Sequence, residues 1–518
     1  MEKLLALYGD KVLGSIKGLD RVRVRGTLRW LAHEAGMRTF LGSTGRLLKD
    51  FGRWAESLTK QVRASCEAQA KALGVATVYL QRSGVDKDGL AQEIATRDGR
   101  ANGSLCMLSA VEPCWTPLVR GSRAERTLAL HMGERKCVWI YHYLDHPELG
   151  LCHVRLQSWL PFSVHVCLNG RHWLEKQLQR EGLAYVKDGN CFPYLADVAR
   201  AQQLLDAQLQ TDWPRLLDGL LLATCPALGE VLAPFAPHYY WSADQTEYAT
   251  DLMFRDGTVL ARDYPRLIRH AITVADTPTV LRFFGRRHLA GKAPAEVSSS
   301  WQQRAEGLRI KHYLNRNSVK AYDKSGSILR VETTIVTPRE FSVYRPRHDD
   351  QRQAPTWQRL RKSMADLHRR CQVSDQCNQR YADTLATCHL AATVKEVATE
   401  ACNPLTREGR RYRGLNPWRA EDYRLLTVLG KGEWAIRGFR NRDLRDRLYP
   451  VPPAGDRAAA RRLCAKTTRL LRLLRAHGLI RKVPRTHRYL LTDHGHQFVT
   501  ALLTASATEV QQLTQLAS

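Results

Sequence analysis

The stretch "SVKAYDKSGSILRVETTI", Ser318 to Ile335, holds two short β-type runs around a turn, with a tyrosine and two carboxylates close together. Its "KSGS" supplies turn chemistry. If "SGS" is a three-residue loop, Lys320 lies opposite Glu332 and Tyr322 opposite Arg330. Those four residues then share one face, while Val319, Ala321, Leu329 and Val331 share the apolar one. A one-residue slip mixes the two faces, so the sorted register is the expected one. The polar face is either ordinary cross-strand pairing or the floor of a site.

On the N-terminal side of this hairpin, "HYYWSADQTEYATDLMF" places Glu247 and Asp251 four residues apart. They share a face whether the segment is helical or extended. Further upstream, "VATVYL", "DKDGLAQEIATRDG" and "SLCMLSAVEPCW" read as strand, helix, strand, with the two strands parallel neighbours. Residues 135–183 read as strand, turn, strand, strand, helix, and residues 195–235 as helical with a break at Pro226. The mixture predicts an α+β (mixed α/β) fold: a mixed-sheet core, a helical connector and a separate C-terminal domain. The expected divisions are 1–120, an α/β domain; 121–345, the core with the candidate site; 346–410, the connector; and 411–518, the nucleic-acid-binding domain.

The 518 residues carry a net charge of +28, with 79 Lys and Arg against 51 Asp and Glu. Such an excess calls for an anionic partner, and nucleic acid leads because each phosphate contact releases counterions. DNA and RNA present the same phosphates, so charge does not separate them. A membrane is not expected: no clear basic amphipathic anchor stands out, and the most apolar run, Gly219 to Gly229, is too short to span a bilayer. The opening "MEKLLALYGDKVLG" lacks the pattern of a signal peptide, so a cytoplasmic chain is expected, its 13 cysteines reduced. His142, His146 and His153 cluster in sequence and hint at zinc. Trp139, Trp159 and Trp173 alternate with His and Arg, a composition shared by base-stacking surfaces and by cores.

From Arg411 onward, 21 Lys and Arg face 8 Asp and Glu. "RRLCAKTTRLLRLLRAHGLI" sets Arg469, Arg472 and Arg475 three residues apart with leucines between, so the arginines line one side of a helix while Leu470, Leu471, Leu473 and Leu474 face a core. "IRKVPRTHRYLLT" reads as a basic hairpin and "DHGHQFVTALL" as a closing helix. Over about Glu421 to Leu503 this order resembles a winged-helix (MarR-like) domain. The resemblance implies that Thr467, Thr468, Arg469 and Arg472 approach bases and that Arg485, His487 and Arg488 sit in the wing.

A second resemblance covers about 55 residues. "FFGRRHL…LRIKHYLNRNSVKAYDKSGSILRVETTI" is similar to the rolling-circle replication initiators of plasmids and filamentous phage, through Gly285, Arg286, Arg287, Tyr322, Asp323, Lys324, Arg330 and Glu332. It implies metal-assisted nicking of one DNA strand by a tyrosine that keeps the 5′-phosphate. The His-hydrophobe-His metal motif of many relatives has no counterpart here. Such chemistry needs a nucleophile, a divalent Mg or Mn on carboxylates, and cations on the backbone. Tyr322 is the first candidate nucleophile, with Tyr239 or Tyr240 second; Glu247, Asp251 and Glu332 are the candidate ligands. Lys320, Lys324, Arg330, Arg309, Arg286 and Arg287 are the candidate phosphate contacts, and His312 a ligand or proton shuttle. The expected protein belongs to a mobile or replicative element and nicks or transfers strands; the alternative is a regulator or structured-RNA binder without catalysis.

Overall fold

The computed structural model describes every residue except 123, 125, 233–237, 287–296, 305–306, 347–353, 388–393, 432–433, 435–437, 454–455, 485 and 510–518. The strands are β1 (Val12–Thr27), β2 (Ala76–Leu80), β3 (Gly103–Ser122), β4 (Thr127–His146), β5 (Gly150–Gln157), β6 (Val164–Asn169), β7 (Tyr185–Asp188), β8 (Cys191–Leu195) and β9 (Tyr240–Phe254). Five hairpin pairs follow: β10 (Val297–Arg304) with β11 (Gly307–Leu314), β12 (Asn317–Lys324) with β13 (Ile328–Ile335), β14 (Ser342–Arg345) with β15 (Thr356–Arg359), β16 (Leu405–Arg407) with β17 (Arg410–Tyr412), and β18 (Ile480–Lys482) with β19 (Tyr489–Leu491). Helices and strands coexist throughout, and the fold class is α+β. No helix among the described residues is long and apolar enough to cross a membrane.

The chain forms two compact units, each built from separated segments. One comprises Asp10–Ala261 and Arg316–Asp375; the other comprises Met1–Gly9, Arg262–Asn315 and Gln376–Ser518. In the first, nine strands stand in the order β12-β13-β9-β1-β6-β5-β4-β3-β2. All neighbours are antiparallel except β2 and β3, the parallel pair joined through helix Lys87–Arg97. The boundary expected at residue 120 falls inside a hairpin, because β3 and β4 pair all the way from Gly103/Asp145 to Ser122/Thr127. Likewise, the stretch 346–410 is no single helical connector. It opens on β15, contains helices Leu367–Ala386 and Val394–Cys402, and divides between the units after Asp375.

β1 is amphipathic in the expected period: Val22 and Val24 are buried, while Arg21, Arg23 and Arg25 are exposed. The alternation breaks at Asp20. Leu19 pairs with Tyr248 and Arg21 with Glu247, so Asp20 is the extra residue of a β-bulge. The β12–β13 hairpin has the expected register, Lys320 opposite Glu332 and Tyr322 opposite Arg330, closed by Ser325, Gly326 and Ser327. Ser325 and Gly326 take positive φ, 61° and 73°. β13 is buried along its whole length, so Arg330 and Glu332 are covered, while Lys320 and Tyr322 on β12 stay partly exposed.

In the second unit, helices Ala420–Leu429, Asn441–Leu448 and Arg457–Ala476 precede β18 and β19, and helix Asp493–Ala507 closes the segment. Leu471, Leu473 and Leu474 enter its core with Leu425, Leu426, Phe439 and Phe498, and Leu470 packs against it partly buried. Arg469, Arg472 and Arg475 are exposed.

Candidate active site

Three adjacent strands bring carboxylates together on one face of the large sheet. The bulge turns Asp20 inward from β1, Glu247 comes from β9, and Glu332 from β13; one ligand oxygen of each lies within 4.8 Å of the others. Asp20 and Glu332 are buried and Glu247 is half-buried. Glu332 accepts a hydrogen bond from the Tyr322 hydroxyl at 2.9 Å. Its other oxygen, Oε1, lies 2.8 Å from Lys320 Nζ, yet no donor is aligned on it. Asn190, at the turn between β7 and β8, donates to both oxygens of Asp20 at 2.7 and 3.0 Å. The β12–β13 loop is tied to that same turn by Ser325, whose hydroxyl donates to Asp188.

Asp251 stands apart from the carboxylate cluster, which corrects its assignment as a metal ligand. Being on the same strand face as Glu247, it meets two guanidiniums instead. Arg330 donates Nε and Nη2 to its two oxygens at 2.6 and 2.8 Å, and Arg171 donates Nη2 at 2.9 Å. Burial pushes the Asp251 carboxyl up, but Arg330 and Arg171 together bring it below its ordinary value. Arg330 is likewise no phosphate contact. It is fully buried, and its remaining bonds go to Asn190 O and, at 3.4 Å, to Asp20. Burial disfavours the Arg330 cation, yet Asp251 and Asp20 hold it charged.

Asp20 is left differently. Burial raises its carboxyl; Arg330 and Arg171 pull it back, Glu332 and Asp251 push it further, and the balance lies above the ordinary value. Burial and the Glu332 charge also push the Tyr322 phenol well up, against Arg330. The three carboxylates form an all-oxygen donor set of the kind a hard divalent cation such as Mg²⁺ or Mn²⁺ takes, with Lys320 beside Glu332 and Arg330 beside Asp20 as the cations now facing them.

Other candidates fall elsewhere. Lys320 and Lys324 are half-buried on β12 beside Tyr322, and exposed Arg21 sits opposite Glu247 in register. Tyr239 is occupied, its hydroxyl donating to Phe162 O, and Arg29 stacks 3.6 Å over the Tyr240 ring; neither joins the carboxylates. Arg286, Arg309 and His312 belong to the other compact unit. There His312 is a core histidine between Ser299 and Tyr381, with burial lowering it to about 4. Arg287 and Arg485 lie outside the described residues.

Thr467 is fully buried, its hydroxyl turned onto Leu463 O, so it does not reach bases; Thr468 is half-buried and accepts from Asn441. His487 is exposed and Arg488 half-buried between β18 and β19. The three tryptophans are core residues, with Arg155 stacked 3.7 Å over Trp139 and Arg135 4.2 Å over Trp159. The three histidines do not converge: His142 bonds Ser104 and Thr224, His146 caps a turn, and His153 packs between Tyr141 and Tyr143. No protein-family model, curated protein or solved structure matches this chain.

Proposed function

We propose that the protein is a nucleic-acid-binding enzyme that cuts or transfers one strand in a metal-dependent reaction, with Tyr322 as nucleophile. The observation that carries this reading is the convergence of Asp20, Glu247 and Glu332 beside a tyrosine hydroxyl already hydrogen-bonded to one of them. A nucleophile, a base within hydrogen-bond reach and a cation-holding cluster are the parts that attack on phosphorus requires.

Asp20, Glu247 and Glu332 would hold Mg²⁺ or Mn²⁺, which supplies polarisation of the phosphate and stabilises developing charge. Tyr322 Oη attacks phosphorus as Glu332 accepts its proton. The bond from phosphorus to the 3′-oxygen breaks, leaving a 3′-hydroxyl after protonation and a 5′-phosphotyrosine. Lys320, Lys324 and Arg21 hold the non-bridging oxygens. The helix–helix–helix–hairpin–helix order of Ala420–Ala507 supports a winged-helix reading, with exposed Arg469, Arg472 and Arg475 as its phosphate or base contacts. A mobile or replicative element is the setting consistent with such a pairing of parts.

The test incubates the full chain with Mn²⁺ or Mg²⁺ and with single- and double-stranded DNA and RNA. A metal-dependent cut and a protein band bearing covalent nucleotide, both lost in Tyr322→Phe and in Asp20→Asn, are expected. Salt-sensitive binding with no cut on any of these substrates would leave a non-enzymatic DNA or RNA binder in its place.

A further inference from the structure

The β14–β15 ribbon of the first unit reverses the usual sorting of residues. Its register sets Ser342 opposite Arg359 and Tyr344 opposite Trp357, so these four share one face. All four are exposed, with Tyr344 at 61% and Trp357 at 71%, and their rings touch at a centroid distance of 5.7 Å. The opposite face carries Val343, Arg345 and Gln358, and there the arginine is the buried residue, donating to Pro346 O and Arg359 O. A packed ribbon would place its aromatics inward and its cations outward. Folding alone gives no reason for the inversion, and paired exposed aromatics mark a binding surface.

The neighbouring charge selects the partner. Arg359 stands on the aromatic face, and its guanidinium donates to the backbone O of Arg339, a second exposed arginine. Neither strand of the ribbon carries an acidic residue, and in sequence the stretch joining them sets Arg347 and Arg352 against Asp349 and Asp350. Unpaired bases stack on rings of this kind while adjacent guanidiniums take the phosphates; a duplex keeps its base faces covered.

We infer that the β14–β15 ribbon is an accessory site for single-stranded nucleic acid, with Tyr344 and Trp357 stacking on bases and Arg359 and Arg339 on the backbone. The site is separate from the carboxylate cluster and rests on the proposed reading only in requiring that the chain bind a polynucleotide.

The test measures fluorescence anisotropy of a labelled mixed-sequence single strand, the same sequence as duplex, and an abasic strand of equal length, with the full-length protein. Tyr344→Ala with Trp357→Ala should weaken single-strand binding by about ten- to a hundred-fold, from the loss of one or two stacks. Duplex and abasic-strand affinities should not change, and Trp357→Phe should restore most of the loss. Equal affinity of wild type and double variant for the single strand overturns the site, as does an equal loss for all three probes. A protein-binding role for the ribbon would appear as the first of these outcomes. Loss of cutting in Tyr322→Phe with no ribbon effect removes this site alone; a ribbon effect with no cutting removes the catalytic reading alone.

Discussion

At the residue scale, the decisive contrast is between two aspartates on adjacent strands. Asp251 is saturated by Arg171 and Arg330, whereas Asp20 is held mainly by a neutral amide. Removing the Asp251 charge strands two buried guanidiniums. Asp251→Asn should therefore cost about 3–5 kcal/mol in urea unfolding, while Glu247→Gln, at a half-buried position, should cost under about 1 kcal/mol. If Asp251→Asn instead kept full stability and lost Mn²⁺ binding, the division of labour drawn here would be reversed. Asp20 gives a pH dependence of definite sign. Its raised carboxyl stays protonated where an ordinary aspartate is ionised, so in the metal-free protein the stability it contributes is lost as pH rises through that raised value. Mn²⁺ requires the ionised form. Its affinity, by calorimetry, should climb over that same window and level off above it, and Asp20→Asn should abolish the climb.

At the scale of elements, the bulge in β1 depends on a neighbour. Gly170 begins helix Gly170–Glu181, and a Cβ there would sit 2.0 Å from Leu19 O, immediately before Asp20. Gly170→Ala must displace that backbone. It should lower stability by about 1–3 kcal/mol and weaken Mn²⁺ binding, whereas Gly219→Ala, which meets nothing within 4 Å, should do neither. Thermal melts with and without Mn²⁺ check both. The elements also explain what is legible in the sequence. The β12–β13 register is readable because a three-residue loop and side-chain period two leave one arrangement that sorts polar from apolar. Asp20 escapes such a reading, since a bulge is a departure from that period; its trace is the adjacent polar pair Asp20–Arg21 inside an otherwise alternating run. Asp251 misleads because spacing gives a shared face but not the cations waiting on it. Arg171 reaches it from a helix 80 residues away in sequence. Thr467 misleads similarly: its place beside arginines suggests exposure, but at that turn of the helix it faces the core.

At the scale of the whole molecule, charge is unevenly distributed, with a net +13 after residue 410, from 21 basic and 8 acidic side chains. The exposed arginines of helix Arg457–Ala476 give that charge a defined face. Arg469→Ala with Arg472→Ala should lower DNA affinity and reduce the slope of log affinity against log salt by about 2, near one for each phosphate no longer neutralised. An unaltered slope would show that those arginines touch no phosphate. Composition points to a polyanion partner, but it does not tell how the chain is divided. The first unit is interrupted at Ala261 and resumes at Arg316. Two of the three clustered carboxylates precede that interruption and the third, with the tyrosine, follows it. A nascent chain released before Glu332 would therefore carry Asp20 and Glu247 without the third carboxylate, so the proposed chemistry has no assembled centre until the ribosome has travelled past the interruption.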